Sequence, residues 1–112
     1  MTLPVLGFTN QHKYPVAITT TFPVRVTIPN HEMKAGEYVR ASNFVTGPGN
    51  YATGMQQLNY NLYIIGNVTE NEFDLFDTFN VPVDGTLFTP YVNNGYALFT
   101  LTGPALDTQN IL

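Results

Sequence analysis

The sequence predicts an all-β domain, a small antiparallel β-barrel or sandwich with extended N- and C-terminal arms, and three observations lead there. No stretch of the 112 residues carries a helical hydrophobic period. About seven or eight short β-branched or aromatic runs are punctuated by Gly, Pro and Asn, as in all-β chains. Two of them, residues 24–28 and 72–77, alternate apolar and polar side chains, the pattern of strands with one face buried. A chain of this length forms one domain and buries roughly two-thirds of its unfolded surface without disulfide or metal. The expected divisions are an arm at 1–14, the β-domain at 15–102 and a tail at 103–112.

In the N-terminal arm Leu3, Val5, Leu6 and Phe8 are apolar, while Pro4 and Gly7 interrupt any regular element. Such an arm cannot pack on itself. It either returns as an edge strand on its own barrel or lies on a neighbouring subunit. Residues 16–21 and 24–28 read as two strands divided by Phe22-Pro23, because proline breaks the hydrogen-bond ladder. Val24, Val26 and Ile28 should face inward. Residues 29–36 read as a compact turn with room for a short helical piece, and 37–41 as the returning strand.

Residues 46–55 (TGPGNYATGM) form a long loop whose glycines and proline forbid helix or central strand. Its large side chains, Tyr51 and Met55, are the expected partner contacts, since loops of this length are commonly functional. The best-marked stretch is 57–75, a β-hairpin in which Leu62-Tyr63-Ile64-Ile65 turns through polar residues into Glu72-Phe73-Asp74-Leu75-Phe76. Phe73 and Leu75 share one face, with Glu72, Asp74 and Phe76 on the other. Pro82 marks an edge strand and Asp84-Gly85 a tight reversal. Tyr91-Val92 and residues 96–101 flank Asn93-Asn94-Gly95 and read as a second hairpin. The tail carries Leu106, Ile111 and Leu112.

Charged residues are 11% of the chain, against about a quarter in ordinary domains, and the net charge is −4. With basic side chains only at Lys13, Arg25, Lys34 and Arg40, no stripe exists to neutralise phosphates, so direct nucleic-acid binding is not expected. No apolar run approaches the roughly 18 residues of a membrane span. The start MTLPVLGFTNQHK has no basic residue before its apolar ones, unlike a secretory signal, so synthesis in the cytoplasm is expected, with use there or as part of something released. Without cysteine there is no disulfide, thiolate zinc site or cysteine nucleophile.

The run Val26-Thr27-Ile28-Pro29-Asn30-His31-Glu32-Met33-Lys34-Ala35-Gly36-Glu37-Tyr38-Val39 is followed by Leu58-Asn59, Tyr63, Ile65, Val68-Thr69, Asn71, Phe73 and Leu75. At these spacings it resembles a small β-barrel module of tailed-bacteriophage structural proteins. That module is labelled similar to the first catalytic-cysteine half-domain of ubiquitin-activating enzymes. The resemblance covers residues 24–76. Glu32 and Tyr60 stand where the module usually has glycine, so both turns are expected to be altered. The label's enzymology does not carry over, because the chain has neither cysteine nor a nucleotide-binding loop.

The resemblance implies a non-enzymatic virion protein made in the host cytoplasm. It would be a capsid decoration or staple (cement) protein, or alternatively a head–tail connector or tail component. Its partners would be major capsid or connector subunits and further copies of itself, with no cofactor. The expected interface comprises Leu3, Val5, Leu6, Phe8, Tyr51, Met55, Leu106, Ile111 and Leu112. A different class of function, a host-surface glycan-binding module, would use Tyr51, Tyr60, Tyr63, Tyr91 and Tyr96, because aromatic rings suit sugars and protein interfaces alike.

Catalytic and metal readings are weaker. His12 and His31 lack ligand-like spacing, and His31 reads as a turn residue bonding its own backbone before it reads as a ligand. Glu70, Glu72, Asp74 and Asp77 form the acidic cluster, and Glu72 with Asp74 could offer oxygens to calcium. No calcium-loop motif surrounds them, so a solvated outer face is the expectation. Asn67-Val68-Thr69 fits a glycosylation acceptor but belongs to the hairpin pattern.

Overall fold

The computed structural model describes residues 11–45 and 52–103. Of the expected interface residues, Leu3, Val5, Leu6, Phe8, Tyr51, Leu106, Ile111 and Leu112 lie outside them. The described strands are β1 (Gln11–Lys13), β2 (Ala17–Ile18), β3 (Arg25–Thr27), β4 (Tyr38–Ser42), β5 (Leu62–Gly66), β6 (Glu72–Phe76) and β7 (Leu98–Gly103). They form one antiparallel sheet in the order β1-β7-β4-β5-β6-β3-β2. A 3-10 turn at Gln56–Leu58 is the only helical element among the described residues.

This order sets β1 and β2, consecutive in the chain, on opposite edges of the sheet. Seven flat strands would hold those edges about 29 Å apart at roughly 4.8 Å per spacing. Only three residues separate Lys13 from Ala17, and the four steps between them reach about 14 Å at most. The sheet therefore curls into a half-barrel.

Alternation along each strand decides what the curl encloses. Val26, Val39, Ala41, Tyr63, Ile65, Phe73, Leu75, Phe99 and Leu101 are buried on the inner face. Register brings them together as Val26–Phe73, Ile65–Leu75, Val39–Tyr63 and Ala41–Phe99. Phe99 meets Phe44 and Phe73 edge-on, with ring centroids 5.6 and 6.1 Å apart, the geometry favoured by the ring quadrupoles. Ile18 on β2 and Val24, Ile28, Met33, Phe44, Met55, Leu58 and Ala97, from outside the strands, complete the core.

The hairpin predicted over 57–75 forms as β5–β6, its turn held by the Thr69 amide donating to the Glu72 carbonyl at 2.8 Å. Val24, Val26 and Ile28 face inward as the alternation requires. β2 and β3 pair across a cis Phe22–Pro23 peptide. Pro82 forms an isolated bridge with Phe76 at the side of β6, and Asp84 Oδ1 accepts the Thr86 amide in the reversal at Asp84-Gly85.

Two local outcomes differ from the sequence reading. The second hairpin does not form: β7 already has β4 on one side and β1 on the other, leaving no edge for Tyr91-Val92. The Val92 amide instead donates to the Thr53 carbonyl at 2.8 Å. Residues 29–36 contain no helical turn, because Asn30, Glu32 and Gly36 all have positive φ (53°, 62° and 90°) and bend the chain repeatedly. At residues 11–13 the segment read as an arm takes the first of its two expected courses, an edge strand on its own sheet: β1 pairs Gln11–Leu101, His12–Thr100 and Lys13–Phe99.

Candidate functional site

The charged groups on the outer face of β3 and β6 are bound to one another. β3 and β6 are neighbours, which sets Arg25 opposite Asp74 and Thr27 opposite Glu72. Arg25 Nε donates to Glu72 Oε1 at 2.9 Å and Arg25 Nη1 to Asp74 Oδ1 at 2.7 Å, while Asn67 Nδ2 donates to Asp74 Oδ2 at 2.8 Å. The hydrogen bond to Asp74 is the main cause that raises the Arg25 pKa above its ordinary value; burial opposes it. Asp74 is 7% exposed, so the outer face at this point is not the solvated surface that the sequence predicts. Its oxygens serve the sheet, and among the described residues no group of three or more His, Cys, Asp or Glu could hold a metal ion.

His31 is also engaged locally. The Met33 amide donates to its Nδ1 at 2.9 Å, which makes Nδ1 the acceptor and directs the Nε2 proton toward the Glu72 carbonyl 3.4 Å away. Its ring stands edge-on to Phe73 at 5.3 Å. It bonds its own turn, as the sequence reading favoured.

Met55 is a correction. The sequence assigns it to a partner interface, yet it is fully buried in the core. Gly54, at φ 68°, turns the chain inward beneath the Pro90 carbonyl, and the Met55 amide donates to the Thr89 carbonyl at 3.0 Å. A flexible apolar side chain carried past that turn fills the end of the half-barrel.

The most exposed phenylalanines and leucine among the described residues lie elsewhere, on two sets of loops. The Gly85 amide donates to the Thr21 carbonyl at 2.9 Å, joining the loop before β3 to the loop after Pro82. These adjoining tips present Phe22 and Leu87, 60% and 92% exposed. The second set surrounds Phe79, 85% exposed, in the loop after β6. Asn61, Leu62, Tyr63, Asp77, Thr78 and Phe79 line an open cleft of about 350 Å³ there.

The five tyrosines considered for sugar stacking do not share one orientation. Tyr63 is buried on β5 and donates its hydroxyl to the Leu58 carbonyl at 3.4 Å, and burial raises its pKa. Tyr91 packs against the core and donates to the Pro15 carbonyl at 2.8 Å; burial pushes its pKa up to about 12. Tyr60 and Tyr96 are exposed, and Tyr51 lies outside the described residues. Phe22, Phe79 and Leu87 were missed by sequence reasoning. The available signal was a large apolar residue set among Asn, Asp, Gly, Pro and Thr, with no alternation to bury it.

No family model matches the chain, and no curated protein matches it. No described helix is long and apolar enough to cross a membrane.

Proposed function

We propose that the chain is a non-enzymatic structural subunit of a tailed-phage particle, a capsid decoration or staple protein that binds neighbouring virion subunits through apolar surface. Phe22 and Leu87 carry the assembly part of this reading. The loops bearing them are hydrogen-bonded to each other, and leaving two large apolar side chains in water forgoes about 1.5–3 kcal/mol apiece that burial would return. The terminal apolar residues Leu3, Val5, Leu6, Phe8, Leu106, Ile111 and Leu112, together with Tyr51, extend the proposed interface.

The phage assignment draws on the sequence resemblance over 24–76. It is supported by Glu32 and Tyr60, which stand where the module has glycine and have φ of 62° and 64°, a conformation that glycine adopts most readily. Engagement of His31, Glu72 and Asp74 in internal hydrogen bonds supports a binding role over a catalytic one.

Quantitative mass spectrometry of purified particles tests the proposal. Copy numbers on the scale of the major capsid subunit are expected, and numbers on the scale of a connector ring would move the protein to the head–tail junction. Absence from particles would overturn the virion reading. The double variant Phe22→Ser with Leu87→Ser should fold and yet lose incorporation; normal incorporation would show that these loops are not the contact.

A further inference from the structure

We infer that the cleft beside β5 and the loop after β6 is a subsite for one neutral sugar ring, with Phe79 as its stacking platform. This goes beyond the assembly reading and does not depend on it. The Phe79 loop is fixed by four hydrogen bonds. The Asp77 amide donates to the Val81 carbonyl at 2.8 Å, and the Asn80 amide to the Asp77 carbonyl at 2.9 Å. Asp77 Oδ1 accepts the amides of Phe79 at 2.8 Å and of Val81 at 3.0 Å. A loop held this firmly keeps its aromatic ring exposed without paying ordering entropy on binding.

The polar groups of the cleft select the ligand class. Asp77 accepts both loop amides through Oδ1, which leaves Oδ2 to accept. Asn61 spends its Nδ2 protons on the Gln57 carbonyl and the Tyr63 hydroxyl, each at 3.3 Å, so its Oδ1 is an acceptor. The exposed Thr78 adds a hydroxyl that can donate or accept. The Tyr63 hydroxyl is already engaged, accepting from Asn61 and donating to the Leu58 carbonyl, so a cleft with two acceptors, the Thr78 hydroxyl and no lining cation repels phosphate and carboxylate and calls for a ligand that donates several O–H groups. The exposed ring of Phe79 calls for an apolar C–H face, which its negative π-surface attracts. A pyranose offers hydroxyls around its rim and C–H groups on its face, and about 350 Å³ lies at the small end of ligand sites.

The test is an amide NMR titration of the full chain with glucose, galactose, mannose and N-acetylglucosamine in turn, with butylamine as a cationic comparison. At least one sugar is expected to produce saturable shifts, at millimolar concentration, confined to residues 61–63 and 77–79. Phe79→Ala should weaken that binding about tenfold or more while leaving the thermal transition in place, since the ring is exposed. Thr78→Val gives a second handle outside the loop's hydrogen bonds. Saturation by butylamine alone, no saturation by any sugar, or sugar binding that Phe79→Ala leaves unchanged would each overturn the subsite. Particle incorporation is measured separately, so either idea can fail alone.

Discussion

Gly54 is the residue on which the end of the core turns. A Cβ built there would lie 1.9 Å from the Pro90 carbonyl oxygen, and its φ of 68° already disfavours any L side chain. Gly54→Ala should therefore cost about 1–2 kcal/mol for the left-handed conformation and a further 1–3 kcal/mol, roughly, for displacing backbone at Pro90. Equilibrium urea unfolding measures the sum; a loss below about 1 kcal/mol would show that the two backbones do not meet. Met55 is buried because of this turn, which explains why sequence pattern misplaced it. A Met at the end of a glycine-rich loop has no periodicity to mark its direction, and the deciding contact lies with Pro90, far along the chain. His31 was readable for the opposite reason, since its partner is the Met33 amide two residues on.

At the scale of elements, the tie between β3 and β6 is the ion-pair group of Arg25, Glu72 and Asp74. Its two halves differ in exposure: the side chain of Asp74 is 10% accessible and that of Glu72 is 42%. Asp74→Ala strands the charged guanidinium donor of Arg25 and the neutral amide donor of Asn67 and should cost about 1.5–3 kcal/mol, whereas Glu72→Ala removes a screened pair and should cost under about 1 kcal/mol. Denaturant unfolding of the two variants at low and high salt checks this, and equal losses would contradict it. The strands themselves were legible where their partners are near. β5–β6 is a local hairpin with alternation and a polar turn, so its residues announce it. The false hairpin at 91–101 had equally good local signals, but β7 pairs with β4 and β1, whose nearest members are dozens of residues away. Alternation shows that a strand exists and which side is buried; it does not show which edge the strand will find.

At the scale of the whole molecule, the half-barrel depends on the short link that carries the chain from β1 to β2 across the two edges of the sheet. Pro15 sits in this link and is buried, and its carbonyl accepts the hydroxyl of Tyr91 at 2.8 Å. The loop that failed to become a strand thus pins the edges together. Burial raises the Tyr91 pKa from 10.0 to about 12, so the folded state holds the phenol proton more tightly than the unfolded chain does. A group shifted in this direction contributes its full stability below the unfolded pKa, near 10, and loses it as pH rises through about 12. Tyr91→Phe deletes the hydroxyl and leaves the Pro15 carbonyl unpaired, which should cost about 1–3 kcal/mol at neutral pH. The variant should also have a flatter stability curve above pH 10, because only the native chain loses the Tyr91 contribution there. Every other group is common to the two proteins and cancels in the difference. Urea unfolding at a series of alkaline pH values should therefore show the gap between the two proteins narrowing as pH rises; a constant gap would mean that Tyr91 ionises as freely in the fold as outside it, and no gap at neutral pH would mean that the edges are held by other contacts.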